Sequence, residues 1–135
     1  MKFEGGCYCG YVRYEASGEP LARVQCHCRQ CQHLSGGHPN VIIGMPLDGF
    51  KYTRGKPKQF TMPGLENPRT RDFCDTCGTQ LLTRSPALPT GVYIKVGTMD
   101  DPSLYGKPAI AIQTADAQEF HHIPEDAKTF ERWPK

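Results

Sequence analysis

Seven cysteines in three tight groups constrain this chain more than any other feature: Cys7-Tyr8-Cys9, Cys26-His27-Cys28-Arg29-Gln30-Cys31 and Cys74-Asp75-Thr76-Cys77. An odd count cannot pair fully in internal disulfides. The segment Met1 to Gly6 lacks the apolar core of a signal peptide, and no run approaches the roughly 20 apolar residues that span a bilayer. We therefore expect a cytoplasmic protein with no membrane partner, whose clustered thiols stay reduced and serve as metal ligands. Zinc favours four tetrahedral ligands when structural, and often three protein ligands plus a vacant position when catalytic. Seven thiols divide most simply as four plus three, so two zinc ions per chain are expected.

Spacing says how each group is built. Cys74-Asp75-Thr76-Cys77-Gly78 is a Cys-x-x-Cys turn closed by glycine, half of a tetrahedral site. Cys7 and Cys9 supply the other half on this reading. A regular strand would hold their sulfurs too far apart, so Gly5-Gly6 and Gly10 are expected to fold the segment into a second tight turn. A thioredoxin-like redox pair at Cys74 and Cys77 would need a strand-to-helix setting, and the strand-like Gln80-Leu81-Leu82 follows instead. Residues 28–35 read as a short helix ended by Gly36-Gly37, with Cys28 and Cys31 on one face and Cys26 arriving from the preceding strand. Three sulfurs then meet at a helix N-terminus, whose free N–H groups favour thiolate.

The remainder reads as short strands. Hydrophobic residues are 38%, with 14 Gly and 12 Pro, a composition suited to many turns and a core thin enough to gain from metal stapling. Strands are expected at 11–15, 21–25, 41–45, 50–53, 59–62, 80–83, 92–96 and 109–113. Nothing divides the 135 residues, so one domain is expected. Tyr8, Tyr11 and Tyr14 read as strand or core residues, and Trp133 as a packing anchor for the tail. The formal charge of +2 falls to about −1 when seven thiolates and two zinc ions are counted. Lys and Arg are scattered rather than striped, which excludes a typical nucleic-acid face.

The blocks Gly6-Cys7-x-Cys9-Gly10-x-Val12-Arg13-Tyr14, Cys26-His27-Cys28-x-x-Cys31 and Phe73-Cys74-x-x-Cys77-Gly78-Thr79 resemble the glutathione-dependent formaldehyde-activating family, which shares its domain with centromere protein V. The resemblance implies a mainly β fold of small antiparallel sheets around zinc, called β-tent-like, with the one short helix near residues 28–35. It implies a structural zinc on Cys7, Cys9, Cys74 and Cys77, and a catalytic zinc on Cys26, Cys28 and Cys31. It further implies carbon–sulfur lyase chemistry on a thiol–aldehyde adduct such as S-hydroxymethylglutathione, so that a small thiol, possibly glutathione, is the expected partner. Family members commonly carry a basic residue after the third clustered cysteine, where this chain has Gln32.

Rival readings make different demands on the second group. A closed structural site would need a fourth ligand from His27, His33, His38, His121 or His122. A zinc-stabilised interaction module would leave the second site inert, and a metal store or redox sensor would leave the thiols labile. Three thiolates leave zinc with a net charge of about −1, which Arg13, Arg29 or Arg71 could offset, or one of these could bind a substrate carboxylate. His121-His122 is a candidate general base or late ligand.

Overall fold

A computed structural model describes residues 1–134. In chain order the elements are β1 (Lys2–Gly6), β2 (Arg13–Ser17), β3 (Ala22–Cys26), helix α1 (Arg29–Ser35), β4 (Asn40–Pro46), β5 (Phe50–Arg54) and β6 (Lys58–Thr61). They continue with β7 (Thr70–Phe73), β8 (Gln80–Arg84), β9 (Gly91–Lys95), β10 (Ile110–Ile112) and β11 (Lys128–Thr129), with short 3-10 turns between several of them. The mainly β expectation with one short helix is met. One sheet has three strands in the order β1-β2-β5, and the other has eight in the order β11-β10-β3-β4-β9-β8-β7-β6. Pairing is antiparallel except at one edge, where β10 runs parallel to both β3 and β11.

Alternation along the strands decides what each face does. Tyr14 and Ala16 of β2, Ile43 and Met45 of β4, and Val92 and Ile94 of β9 point into one core between the two sheets. Each fully buried apolar side chain of this kind contributes about 1.5–3 kcal/mol. The opposite face of the large sheet carries a second cluster, Val24, Cys26, Ile42 and Ile112, with Cys31 reaching it from α1. β4 is therefore buried on both sides, which is why residues 41–45 read as a continuous apolar run rather than an alternation.

Four expectations need correction. Tyr8 is 94% exposed and Tyr11 is exposed as well, both in the turn before β2, so only Tyr14 is a core residue. Trp133 packs the tail only lightly: it is half exposed, with the Arg69 guanidinium 4.8 Å from its ring centre. β1 was not expected because its Gly-Gly end and single large apolar residue give no strand pattern; pairing with β2 creates it. β7 was missed because Arg71 and Asp72 look solvent-facing in sequence, yet both are buried.

Candidate metal centres and the adjoining cavity

The turn between β1 and β2 and the turn between β7 and β8 meet. In the first, Gly10 N–H bonds the Cys7 carbonyl at 3.1 Å, and in the second Gly78 N–H bonds the Cys74 carbonyl at 2.7 Å. Both glycines adopt left-handed backbone, φ 80° and 81°, which side chains disfavour. The two turns bring Cys7, Cys9, Cys74 and Cys77 together with every sulfur within 4.8 Å of the others. Cys7 and Cys9 sulfurs lie 3.6 Å apart, and Cys9 and Cys74 sulfurs 3.8 Å apart. Those spacings match the edge of a tetrahedron with metal–sulfur bonds of about 2.3 Å, roughly 3.8 Å. Thr79 links the turns: its hydroxyl accepts the Tyr8 N–H at 3.1 Å and donates to the Cys77 sulfur at 3.1 Å. The Thr79 hydroxyl and N–H together hold the Cys77 thiol down at about 5.

The second group assembles at the start of α1. Cys28 is the N-cap, in extended backbone, and its sulfur accepts the Cys31 N–H at 3.3 Å. One helical turn places the Cys28 and Cys31 sulfurs 3.1 Å apart, and β3 delivers Cys26, so the three sulfurs lie within 4.8 Å of one another. Hydrogen bonds from Cys26 and Cys31 pull the Cys28 thiol far below the ordinary range, and the same contacts push Cys26 up. The trio thus favours one thiolate at Cys28. Asn40, at the start of β4, donates to the Cys31 sulfur at 3.7 Å. The helix ends where expected, at Gly36 with φ 80°, and Gly37 N–H closes onto the Gln32 carbonyl at 2.7 Å.

No histidine joins the trio among the described residues. His27 is fully buried and turned away, its Nδ1 2.8 Å from His121 Nδ1 and its Nε2 3.1 Å from the Gln25 side-chain oxygen. Burial first, then the neighbouring His121, lowers the His27 pKa to about 4, so the ring is a neutral structural link. His121 also bonds the Gly37 carbonyl at 2.8 Å, while His33, His38 and His122 are exposed. Gln32 is a buried latch. Its amide donates to the His27 carbonyl at 2.8 Å and the Asp116 carbonyl at 2.9 Å, and Arg29 and Gln118 donate to its oxygen.

A cavity of about 600 Å³ opens beside the trio, on the second face of the large sheet. That volume lies within the range of small-molecule sites, about 300–1,000 Å³. Its lining is apolar at Val24, Ile42, Tyr93, Ile110 and Ile112 and basic at Arg29, Arg69 and the buried Arg71. Arg13 is elsewhere, paired with Asp100 at 2.9 Å. Sequence reasoning missed Lys95, which shares a face of β9 with Tyr93. Burial lowers its pKa to about 8, while the nearby Cys31 sulfur opposes that shift. The period of two in β9 was the available signal.

A family model described as glutathione-dependent formaldehyde-activating enzyme matches residues 2–116. The chain belongs to that family. A crystal structure of a Rhodobacter sphaeroides protein shares the fold, with TM-score 0.62 and 20% identity over 78% of this chain and 96% of that one. The family match supports formaldehyde-related, glutathione-related chemistry and covers both cysteine clusters. It stops short of His121, β11 and Trp133, so the segment that closes over α1 and the cavity rim lies outside it. Both clusters could hold a metal ion, and all-sulfur donor sets are consistent with zinc.

Proposed function

We propose that this chain is a single-domain, zinc-dependent carbon–sulfur lyase that interconverts a thiol–aldehyde adduct, such as S-hydroxymethylglutathione, with its thiol and aldehyde in the cytoplasm. The observation that carries the reading is the contrast between the clusters. Four thiols surround one position completely, whereas three thiols face a cavity of substrate size. Zinc held by Cys7, Cys9, Cys74 and Cys77 would be structural, and zinc held by Cys26, Cys28 and Cys31 would lower the pKa of a thiol and polarise an aldehyde oxygen as a Lewis acid.

In the cleavage direction the carbon–sulfur bond breaks, sulfur keeps the bonding pair, and the adduct hydroxyl loses its proton as the carbonyl forms. That proton ends on the departing thiol or in solvent. The chain's own residues prepare the site. The Cys31 N–H and the two neighbouring thiols stabilise negative charge at Cys28. Lys95 and Arg71 place positive charge beside the thiolates. Val24, Ile42 and Ile112 exclude water from one side, which strengthens these interactions.

The direct test combines elemental analysis with a screen of thiols against formaldehyde and other small aldehydes, following adduct formation and loss. Two zinc ions per chain and a thiol–aldehyde pair accelerated over buffer are expected. If no pair reacts faster than in buffer containing free zinc, the lyase assignment is wrong and the chain is a zinc-stabilised binding module.

A further inference from the structure

The cavity beside the cysteine trio is floored by cross-strand rows of side chains. Register places Ile112, Cys26 and Asn40 side by side on β10, β3 and β4. The next row on the same face is Ile110, Val24 and Ile42, again directly paired. Ala22, Gly44 and Tyr93 form a third row across β3, β4 and β9. Residues two apart on a strand are separated by about 7 Å, so the third row lies roughly 13 Å from the Cys26 row. Every side chain of the second and third rows lines the cavity. A Cβ on Gly44 would stand 3.3 Å from a Tyr93 ring carbon and 3.4 Å from the Ala22 nitrogen. The Tyr93 ring therefore leans across β4 because position 44 is glycine, and an aromatic surface follows the aliphatic row with distance from the sulfurs.

The charged side chains of the lining already have partners. Among the described residues the one lining carboxylate, Asp116, is held by Arg132 at 3.0 Å. Arg29 donates to the Gln32 side chain, Arg71 donates to that of Gln30 at 3.2 Å, and the Arg69 guanidinium lies 4.8 Å from the Trp133 ring centre. A peptide thiol with charged ends would have to displace such contacts, and its ammonium would find no free acid. A hydrocarbon group displaces only water from these rows, which favours its burial.

We propose that the cavity selects thiol–aldehyde adducts carrying an unbranched alkyl or benzyl group, seated along Val24, Ile42 and Ile110 toward Tyr93, with the adduct sulfur at Cys26, Cys28 and Cys31. The sulfur end rests on the function proposed above, whereas the hydrocarbon slot stands on strand register and on the lining. A thiol RSH adds across the carbonyl of an aldehyde R′CHO to give RS–CH(OH)R′ with no atom lost, so the apolar group enters as R or as R′. Glutathione with formaldehyde leaves the slot unfilled, because formaldehyde has no carbon substituent and glutathione is a charged tripeptide.

Trp133, the one tryptophan in the chain, lines the cavity, and its fluorescence reports binding without turnover. The zinc-loaded protein is titrated with ethyl, butyl and hexyl thiols, with the matching alcohols and with glutathione. Affinity should rise about fourfold for each added CH₂ in both series, the gain from burying one methylene, and hexanethiol should outbind glutathione. Ala22→Phe fills the third row and should end the rise at butyl. Ile110→Ala, in the second row, should weaken the hexyl members by about threefold or more, and keeps the test open where the first variant folds poorly. A flat series in the wild type overturns the proposal, as does a rise that neither variant alters, or glutathione binding best. Alcohols that climb with chain length and match the thiols in affinity would leave the slot standing and refute the lyase reading, since no sulfur would be recognised. Turnover then assigns the slot to one half of the adduct. Hexanethiol with formaldehyde, or glutathione with hexanal, should react faster than glutathione with formaldehyde, and the reverse order overturns the selection. Absence of turnover with every pair refutes the lyase reading and leaves the binding series to decide the slot.

Discussion

Replacing Cys28 by serine separates a reactive metal centre from a structural one, because this residue has two roles that serine splits. As N-cap of α1, Cys28 has φ −62° and ψ 157°, and its side chain accepts one N–H, that of Cys31, at 3.3 Å. Serine is among the best N-cap residues, so the substitution keeps a side-chain cap on the Cys31 N–H and should alter the helix's own stability by about 0.5 kcal/mol or less. For a chain of this size that corresponds to a Tm change of roughly 1–3 °C. As a ligand, however, a hydroxyl neither ionises near neutral pH nor offers a soft donor, so two of three sulfurs remain. Cys28→Ser should therefore stay folded by near-ultraviolet circular dichroism, keep its Tm within about 3 °C, and lose one of two zinc ions by elemental analysis. Adduct turnover should drop to the rate in buffer. A Cys28→Ser protein that keeps both ions and its turnover refutes the three-thiol site. One that unfolds shows the trio to be structural.

The other cluster should behave oppositely. Cys74 is fully buried and ties the β7–β8 turn to the β1–β2 turn, so Cys74→Ser should lose most of the structural zinc's folding energy and give an unfolded or protease-sensitive chain; a native-like melting curve would contradict this. Asp72, 1% exposed, accepts from Tyr52 at 2.6 Å, Gln59 at 3.0 Å and Arg84 at 3.0 Å. Asp72→Asn keeps the shape but removes the charge opposite Arg84, and should cost about 2–4 kcal/mol in urea denaturation, the lower end reflecting Arg84's partial exposure; a change below roughly 1 kcal/mol would show the network to be dispensable. Burial pushes Tyr14 and Tyr105 up to about 12. Both folded values exceed the unfolded value of about 10, so their stabilisation is complete below that pH and is lost as pH rises toward 12. Tyr14→Phe should lessen the fall in urea midpoint between about pH 9 and 11, and parallel profiles for the two proteins would rule Tyr14 out.

Both cysteine clusters were legible in the sequence because their members come in local groups whose spacing is set by backbone geometry. Cys74 and Cys77 need one turn and one glycine, and Cys28 and Cys31 need one turn of helix, so short-range rules sufficed. The helix end at Gly36 and the turned-away His27 follow from the same local geometry. The β7 strand, with Arg71 and Asp72 buried in a polar stretch, was not legible, because side chains that look solvated in isolation acquire their environment from partners distant in sequence.

By itself, then, the chain's own order of residues determined the Cys26, Cys28 and Cys31 trio, the two cysteine turns, the single short helix and the β-rich class, since each depends on contacts within a few residues. Only tertiary structure decided that the β1–β2 and β7–β8 turns meet, that Gln32 latches the C-terminal segment over α1, and that Ile42 and Tyr93 line one cavity with the Cys26 trio. Those placements come from strand order and register in the eight-stranded sheet, where β3, β4, β9, β8 and β7 bring residues as far apart as Cys26 and Tyr93 onto one face. A pattern of period two says which residues share a face of one strand, and carries no information about which strand lies beside it.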